Sequence, residues 1–318
     1  MIIKSLTAGL FAALICTAQT PQVSRIVSAG SFGTRIAAGA YATILGAGLA
    51  DGTYIANGGA PWPLTLGGTT VAICYSETAG AQPTCVSPQL LYVSPQQINV
   101  LMPNLWMPIP NGASGLGETV YVVRGSGASQ IQSNGVLFTV LLESPDILLA
   151  GYDCPITADY ICPPLNSAKT ESTDVRRGTV TDLEGRLVDT ANPVVVGGYY
   201  TIWLTGLGNG LGNTPCVGFG LNNCVGVGLV PFNPPSPLPA GYPTSLGGDV
   251  TPTFAGASPQ FPGLQQINFQ FAGSLIPSWP CANYTLEMTL SVAQSQQLFA
   301  NLPVQIPVVI HSGDVACQ

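Results

Sequence analysis

The chain has 318 residues, with 8 Lys and Arg against 15 Asp and Glu for a formal net charge of −7. Only 7% of its residues are charged and 46% are apolar, which excludes a nucleic-acid binder, for want of a basic face, and a disordered chain, for want of charge. With 38 Gly and 28 Pro, the composition reads as β-structure with many tight turns, long enough for two domains that each bury a core.

Lys4 precedes an apolar run at 6–18, and Cys16-Thr17-Ala18 places small side chains before a cut. Residues 1–18 are therefore expected to be a secretory signal peptide cleaved after Ala18, too short to span a bilayer. A secreted or cell-surface location follows, with no membrane span after leader removal. From 19 to 150, apolar runs at 41–45, 69–74, 90–93, 98–102, 119–123 and 136–142 are separated by Gly, Pro, Ser and Asn. That spacing is expected of an immunoglobulin-like β-sandwich, the first module. No stretch sustains a helical period over three turns; 291–302 comes closest and, like 126–135, reads as a hairpin connection.

Acidic residues concentrate between 143 and 189. Residues 151–175 read as a connector pinned by Cys154 and Cys162, and 178–188 as a hairpin turning at Glu184-Gly185. Asp182, Glu184 and Asp189 lie close together, but no Asp-x-Asp-x-Asp-Gly loop with a closing Glu exists, so a solvated junction is expected in place of a calcium site. Residues 176–318 form the second module. Its stretch 209–242, rich in Gly, Pro and Asn, reads as a long loop without a period, whose Phe219, Leu221, Phe232 and Leu238 either pack on its own sheet, the favoured reading, or bind a partner. Asn283-Tyr284-Thr285 is a glycosylation sequon.

The two modules echo one another. Gln96-Gln97-Ile98-Asn99 recurs as Gln265-Gln266-Ile267-Asn268, and Gly39-Ala40-Tyr41-Ala42-Thr43-Ile44 as Gly197-Gly198-Tyr199-Tyr200-Thr201-Ile202. Gly48-Leu49 matches Gly206-Leu207, and Leu66-Gly67-Gly68 matches Leu246-Gly247-Gly248. The spacing between blocks differs, so two homologous modules carry different insertions, each with a pair of cysteines. Strand alternation predicts Ile98 and Ile267 inside the sandwich with the amides on the other face, bonding backbone at a turn or strand edge.

Beyond Cys16 in the leader stand Cys74, Cys85, Cys154, Cys162, Cys216, Cys224, Cys281 and Cys317. An even count in an exported chain points to disulfides. Eight cysteines allow 105 connectivities that spacing alone does not settle, and the simplest pairs sequence neighbours, Cys74 with Cys85, Cys154 with Cys162, Cys216 with Cys224 and Cys281 with Cys317. Zinc is disfavoured, since neither Cys-x-x-Cys spacing nor histidine partners occur. No metal or other cofactor is expected.

Leu66-Gly67-Gly68, then Leu91-Tyr92-Val93-Ser94-Pro95-Gln96-Gln97-Ile98-Asn99, then Thr205-Gly206-Leu207-Gly208 resembles a family of exported proteins abundant in acidobacteria, a C-terminal domain family with paired immunoglobulin-like modules similar to the IPT/TIG type. Asn192-Pro193 followed by Gly197 fits its second module. The resemblance covers about residues 26–309 and implies fold and export; it brings no catalytic residues. The chain departs from the usual pattern in having more cysteines and no large N-terminal partner domain.

An enzyme is not expected. His311 is the one histidine, no Gly-x-Ser-x-Gly elbow is present, and Gly206-Leu207-Gly208-Asn209-Gly210 lacks the Walker lysine. The expected function is a secreted structural protein that self-associates, into a filament or surface layer, because so neutral a surface invites association. The alternative is an adhesin or carbohydrate-binding protein that recognises surface glycans.

Overall fold

A computed structural model describes residues 19–76, 82–104, 116–141, 143–153, 175–208, 224–231, 250, 252–259, 261–273, 281–294, 297–300 and 304–309. Among them the one complete helical element is a 3-10 turn, Gly127–Ser129; nearly all the rest of the regular structure is β-strand. Residues 1–18, expected to be a signal peptide, and Cys154, Cys162, Cys216, Cys317 and His311 lie outside the described residues.

Alternating burial makes the strands. In Thr69–Tyr75, Val71 and Ile73 are fully buried while Ala72 and Cys74 face outward, the period of two that a half-buried sheet requires. The first module has one sheet in the order Gln22–Ser28, Tyr41–Ala47, Gln97–Leu101, Gln89–Val93, Tyr54–Ile55. The other runs Ile36–Ala37, Val136–Leu141, Leu116–Arg124, Thr69–Tyr75, Thr65–Leu66, with Ile131–Gln132 and Thr84–Val86 at its flanks. Ile44, Ile98 and Val100 from one sheet meet Val71, Ile73, Val120 and Val122 from the other in one core.

The second module repeats this plan. Asp146–Ile147, Tyr199–Thr205, Gln265–Gln270 and Pro252–Ala257 form one sheet, with Val180–Asp182 also on Tyr199–Thr205. Leu149–Asp153, Val175–Gly178, Val304–Val309, Asn283–Gln294 and Cys224–Pro231 form the other. Even the parallel exception recurs: Ile36–Ala37 runs parallel to Val136–Leu141, and Val194–Val195 parallel to Val304–Val309. The fold is two tandem immunoglobulin-like β-sandwiches, as the echo implies.

Three local expectations change. Residues 209–242 are not loop throughout: Cys224–Pro231 is a strand registered along Asn283–Gln294, with Val227 and Leu229 buried. Gly226 and Gly228, between Val225, Val227 and Leu229, mask the alternation, because neither offers a polar side chain to contrast with its apolar neighbours. The sheets change over between Leu141 and Asp146, ahead of residue 150. The two ends of the expected connector 151–175 lie on paired antiparallel strands of one second-module sheet, Leu149–Asp153 and Val175–Gly178, while 154–174 lie outside the described residues. The hairpin at 178–188 is present, with Gly185 at φ 77° supplying its turn.

Cys74 and Cys85 face each other on adjacent strands and are bonded. Cys281 is also disulfide-bonded. Because the Cys74–Cys85 crosslink closes a loop of sequence separation 11, replacing both cysteines with alanine is expected to cost the first module about 3 kcal/mol. Denaturant unfolding with and without reductant checks this; equal midpoints would refute it.

Candidate functional site

The repeated amides serve the sandwich first. Ile98 lies opposite Ile44, and Ile267 opposite Ile202, all fully buried. One residue along, Thr43 Oγ1 donates to Asn99 Oδ1 at 3.2 Å and Thr201 Oγ1 donates to Asn268 Oδ1 at 3.0 Å. Gln97 Nε2 adds a 2.7 Å bond to Asn99. Gln265 accepts the Leu207 N–H at 2.6 Å and donates to the Gly208 carbonyl at 3.3 Å. In the first module the corresponding Leu49 N–H bonds the Pro95 carbonyl at 2.9 Å. One orphan donor is thus satisfied in two ways, which a buried backbone group demands. Gln96 is exposed. Gln266 differs: among the described residues its side chain bonds no protein group.

The modules meet in a polar seam. Tyr41 N–H donates to Thr205 Oγ1 at 2.9 Å, and Thr205 Oγ1 donates to the Gly263 carbonyl at 2.8 Å. Ser31 N–H donates to Asp146 Oδ2 at 2.8 Å, and Ser144 N–H to the Gly206 carbonyl at 2.8 Å. Burial pushes the Tyr41 hydroxyl up to about 12. The expected solvated junction is therefore buried at its first acids, Glu143 and Asp146. Pattern reading missed this because a charge cluster is ordinarily a wet one.

Two carboxyls are displaced toward neutrality. Desolvation pushes Glu118 up to about 7, against the Val140 N–H that bonds its Oε2 at 2.9 Å, and pushes Glu143 up to about 7 as well. Glu143 Oε2 has no hydrogen-bond partner among the described residues. Unfolded, both ionise near 4.5. The folded chain thus holds the extra protons between about pH 4.5 and 7, so stability is greatest below that window and falls as pH rises through it. Thermal midpoints are expected to be higher near pH 5 than near pH 8. Glu118→Gln and Glu143→Gln should flatten that difference; a slope unchanged in both variants would refute it.

The hairpin acids hold one another's donors. Asp182 Oδ1 accepts N–H bonds from Glu184 and Arg186, and its Oδ2 accepts from Arg186 Nε at 2.8 Å and Asn192 Nδ2 at 3.0 Å. Desolvation works against ionisation there, but these donors hold the carboxyl below its ordinary value. Asp189 bonds the backbone of Ala191 and Asn192. Among the described residues no three His, Cys, Asp or Glu side chains gather as metal ligands. Beside the hairpin an open cleft of about 480 Å³ is lined by Leu183, Glu184, Arg186, Asn192, Pro193 and Tyr199, among others.

Two outward sheet faces carry no charge. In the first module the register aligns Thr70, Ala72 and Cys74 with Gly117, Thr119, Tyr121 and Val123, and these with Leu137 and Thr139. Leu137 is 75% exposed there, and an open cleft of about 490 Å³ lies against Cys74, Thr119 and Tyr121. In the second module the outward row is Tyr199, Thr201 and Trp203 beside Gln270, Asn268 and Gln266, with Phe254 opposite Asn268. Only register reveals these faces, since their residues come from strands far apart in sequence. Strand edges are less open: the Asn134 amide accepts the Val23 N–H at 2.8 Å and donates to the Val23 carbonyl at 2.9 Å, capping the Gln22–Ser28 edge.

No helix among the described residues is long and apolar enough to cross a membrane. No family model matches the chain, and no curated protein matches it. Among solved structures, dimeric latent PorU from Porphyromonas gingivalis aligns with 92% of this chain at 11% identity and a TM-score of 0.27. A marsupial T cell receptor aligns with 90% of this chain and 99% of its own, at 9% identity and a TM-score of 0.19. The chain spans only 24% of the PorU chain.

Proposed function

We propose that this is an extracellular structural protein that associates with copies of itself through the uncharged outward face of the first module. The observation that carries the reading is that face: nine aligned positions on three strands without a charged side chain, Leu137 standing 75% exposed among them. Two such faces stack without repulsion or the desolvation of ions, in the way β-sheets pack face to face. The overall charge content of 7% leaves little to keep copies apart. Export is supported by the leader-like run at 6–18 and by the disulfides, which persist in oxidising compartments.

The test is sedimentation across a concentration series, with electron microscopy of the native cell surface. Self-association is expected to rise with concentration and to be lost in Leu137→Lys and Thr119→Lys, with thermal midpoints near wild type for so exposed a site as Leu137. A monodisperse monomer at high concentration, with no polymer on cells, would sink the reading.

A further inference from the structure

We infer that the outward face of the Tyr199–Thr205, Gln265–Gln270 and Pro252–Ala257 strands binds a neutral oligosaccharide. Tyr199 and Trp203 stand on the same side of one strand, about 13 Å apart at the rise of an extended chain. Phe254 projects from the far strand onto the same face. Between them run Gln266, Asn268 and Gln270. Aromatic surface interleaved with amides is the chemical complement of a sugar chain, whose apolar ring faces stack on aromatics and whose hydroxyls both donate and accept.

The hydrogen-bonding capacity on this face is open. Among the described residues the Gln266 amide bonds no protein group. Asn268 uses its Oδ1 for Thr201, and Gln270 uses its Nε2 for the Gly197 carbonyl at 3.1 Å, leaving one amide end of each to a ligand. The aromatics are partly held in advance: Trp203 Nε1 donates to Thr181 Oγ1 at 3.0 Å, so less side-chain freedom is lost on binding. Tyr199, 45% exposed, also borders the hairpin cleft, so the face continues into a concavity.

Charge selects the ligand class. No side chain on the three strands' outward face is ionic, and in the cleft Arg186 is paired with Asp182 at 2.8 Å and Glu184 at 3.2 Å. Two carboxylates against one guanidinium disfavour an acidic glycan. Nucleic acid would stack equally well on the aromatics, but its phosphates need the cations this face lacks. Spanning Tyr199 to Trp203 requires several linked sugars.

The experiment uses the full chain. Titration calorimetry and tryptophan fluorescence are run against hexasaccharides of neutral glucan, mannan and chitin, with a hyaluronan hexamer as the acidic control. At least one neutral hexamer is expected to bind and to perturb Trp203 emission, and hyaluronan is expected not to bind. Tyr199→Ala is expected to weaken binding by about tenfold or more, and Gln266→Ala by several-fold. Both should melt as wild type, because one side chain is exposed and the other bonds nothing. Leu137→Lys should leave binding intact, so failure of self-association and failure of this site are separable. No binding to any neutral hexamer at millimolar concentration overturns the inference, as does binding indifferent to both variants. Loss of polymers in Tyr199→Ala without any glycan affinity would make the face a contact between copies, and also overturns it.

Discussion

Ile98→Ala and Ile267→Ala are each expected to lower the stability of their own module by about 2–5 kcal/mol. Each isoleucine is fully buried at the same register position, opposite Ile44 in one module and Ile202 in the other. Close-packed sandwich cores cannot collapse fully around a lost branched side chain, so a cavity cost adds to the lost transfer energy. The neighbouring Asn268→Ala removes one side-chain hydrogen bond and Asn99→Ala removes two, in half-buried surroundings, and they should cost only about 1 and about 2 kcal/mol respectively. Denaturant unfolding followed by tryptophan fluorescence and circular dichroism measures all four. An isoleucine loss no larger than its asparagine neighbour's would mean that the inward register of the repeat is wrong.

The second large effect is expected at the seam. Gly206 has φ 85°, a left-handed conformation that side chains rarely adopt, and a Cβ there would run into the Ser144 carbonyl oxygen and lie 3.4 Å from the Ala37 side chain. Gly206→Ala combines backbone strain of about 1–3 kcal/mol with overpacking of similar size. Its first-module counterpart, Gly48, also has positive φ at 60°, yet a Cβ there would meet only the flexible Gln19 side chain, no nearer than 3.5 Å. Gly48→Ala should therefore cost the backbone term alone, about 1–2 kcal/mol. Small-angle scattering distinguishes the pair further: the alanine at 206 is expected to raise the radius of gyration as the modules separate, and the alanine at 48 is not. Equal effects would show that Ser144 and Gly206 do not fasten the modules.

Much of the fold was legible because both modules obey a local rule. The runs at 41–45, 69–74 and 98–102 lie within or along strands whose inward residues alternate, and recurrence of Gln-Gln-Ile-Asn identified two copies of one plan. Where the alternation lacked contrast, reading failed. Val225, Val227 and Leu229 are spaced by glycines, so a strand passed for loop. Glu143 and Asp146 sit in a charge cluster yet are buried, because the seam between modules covers them.

The sequence by itself determined the all-β class, the duplication and the inward isoleucines, since each depends on spacing along the chain, and it offered Cys74 with Cys85 as neighbours that the structure pairs. The tertiary structure alone decided which residues share a face. Tyr199, Gln266 and Phe254 come together, as do Ala72, Tyr121 and Leu137, only through cross-strand register. Register is set by long-range hydrogen bonding and by core packing on the opposite side of the sheet, and neither is written in local sequence.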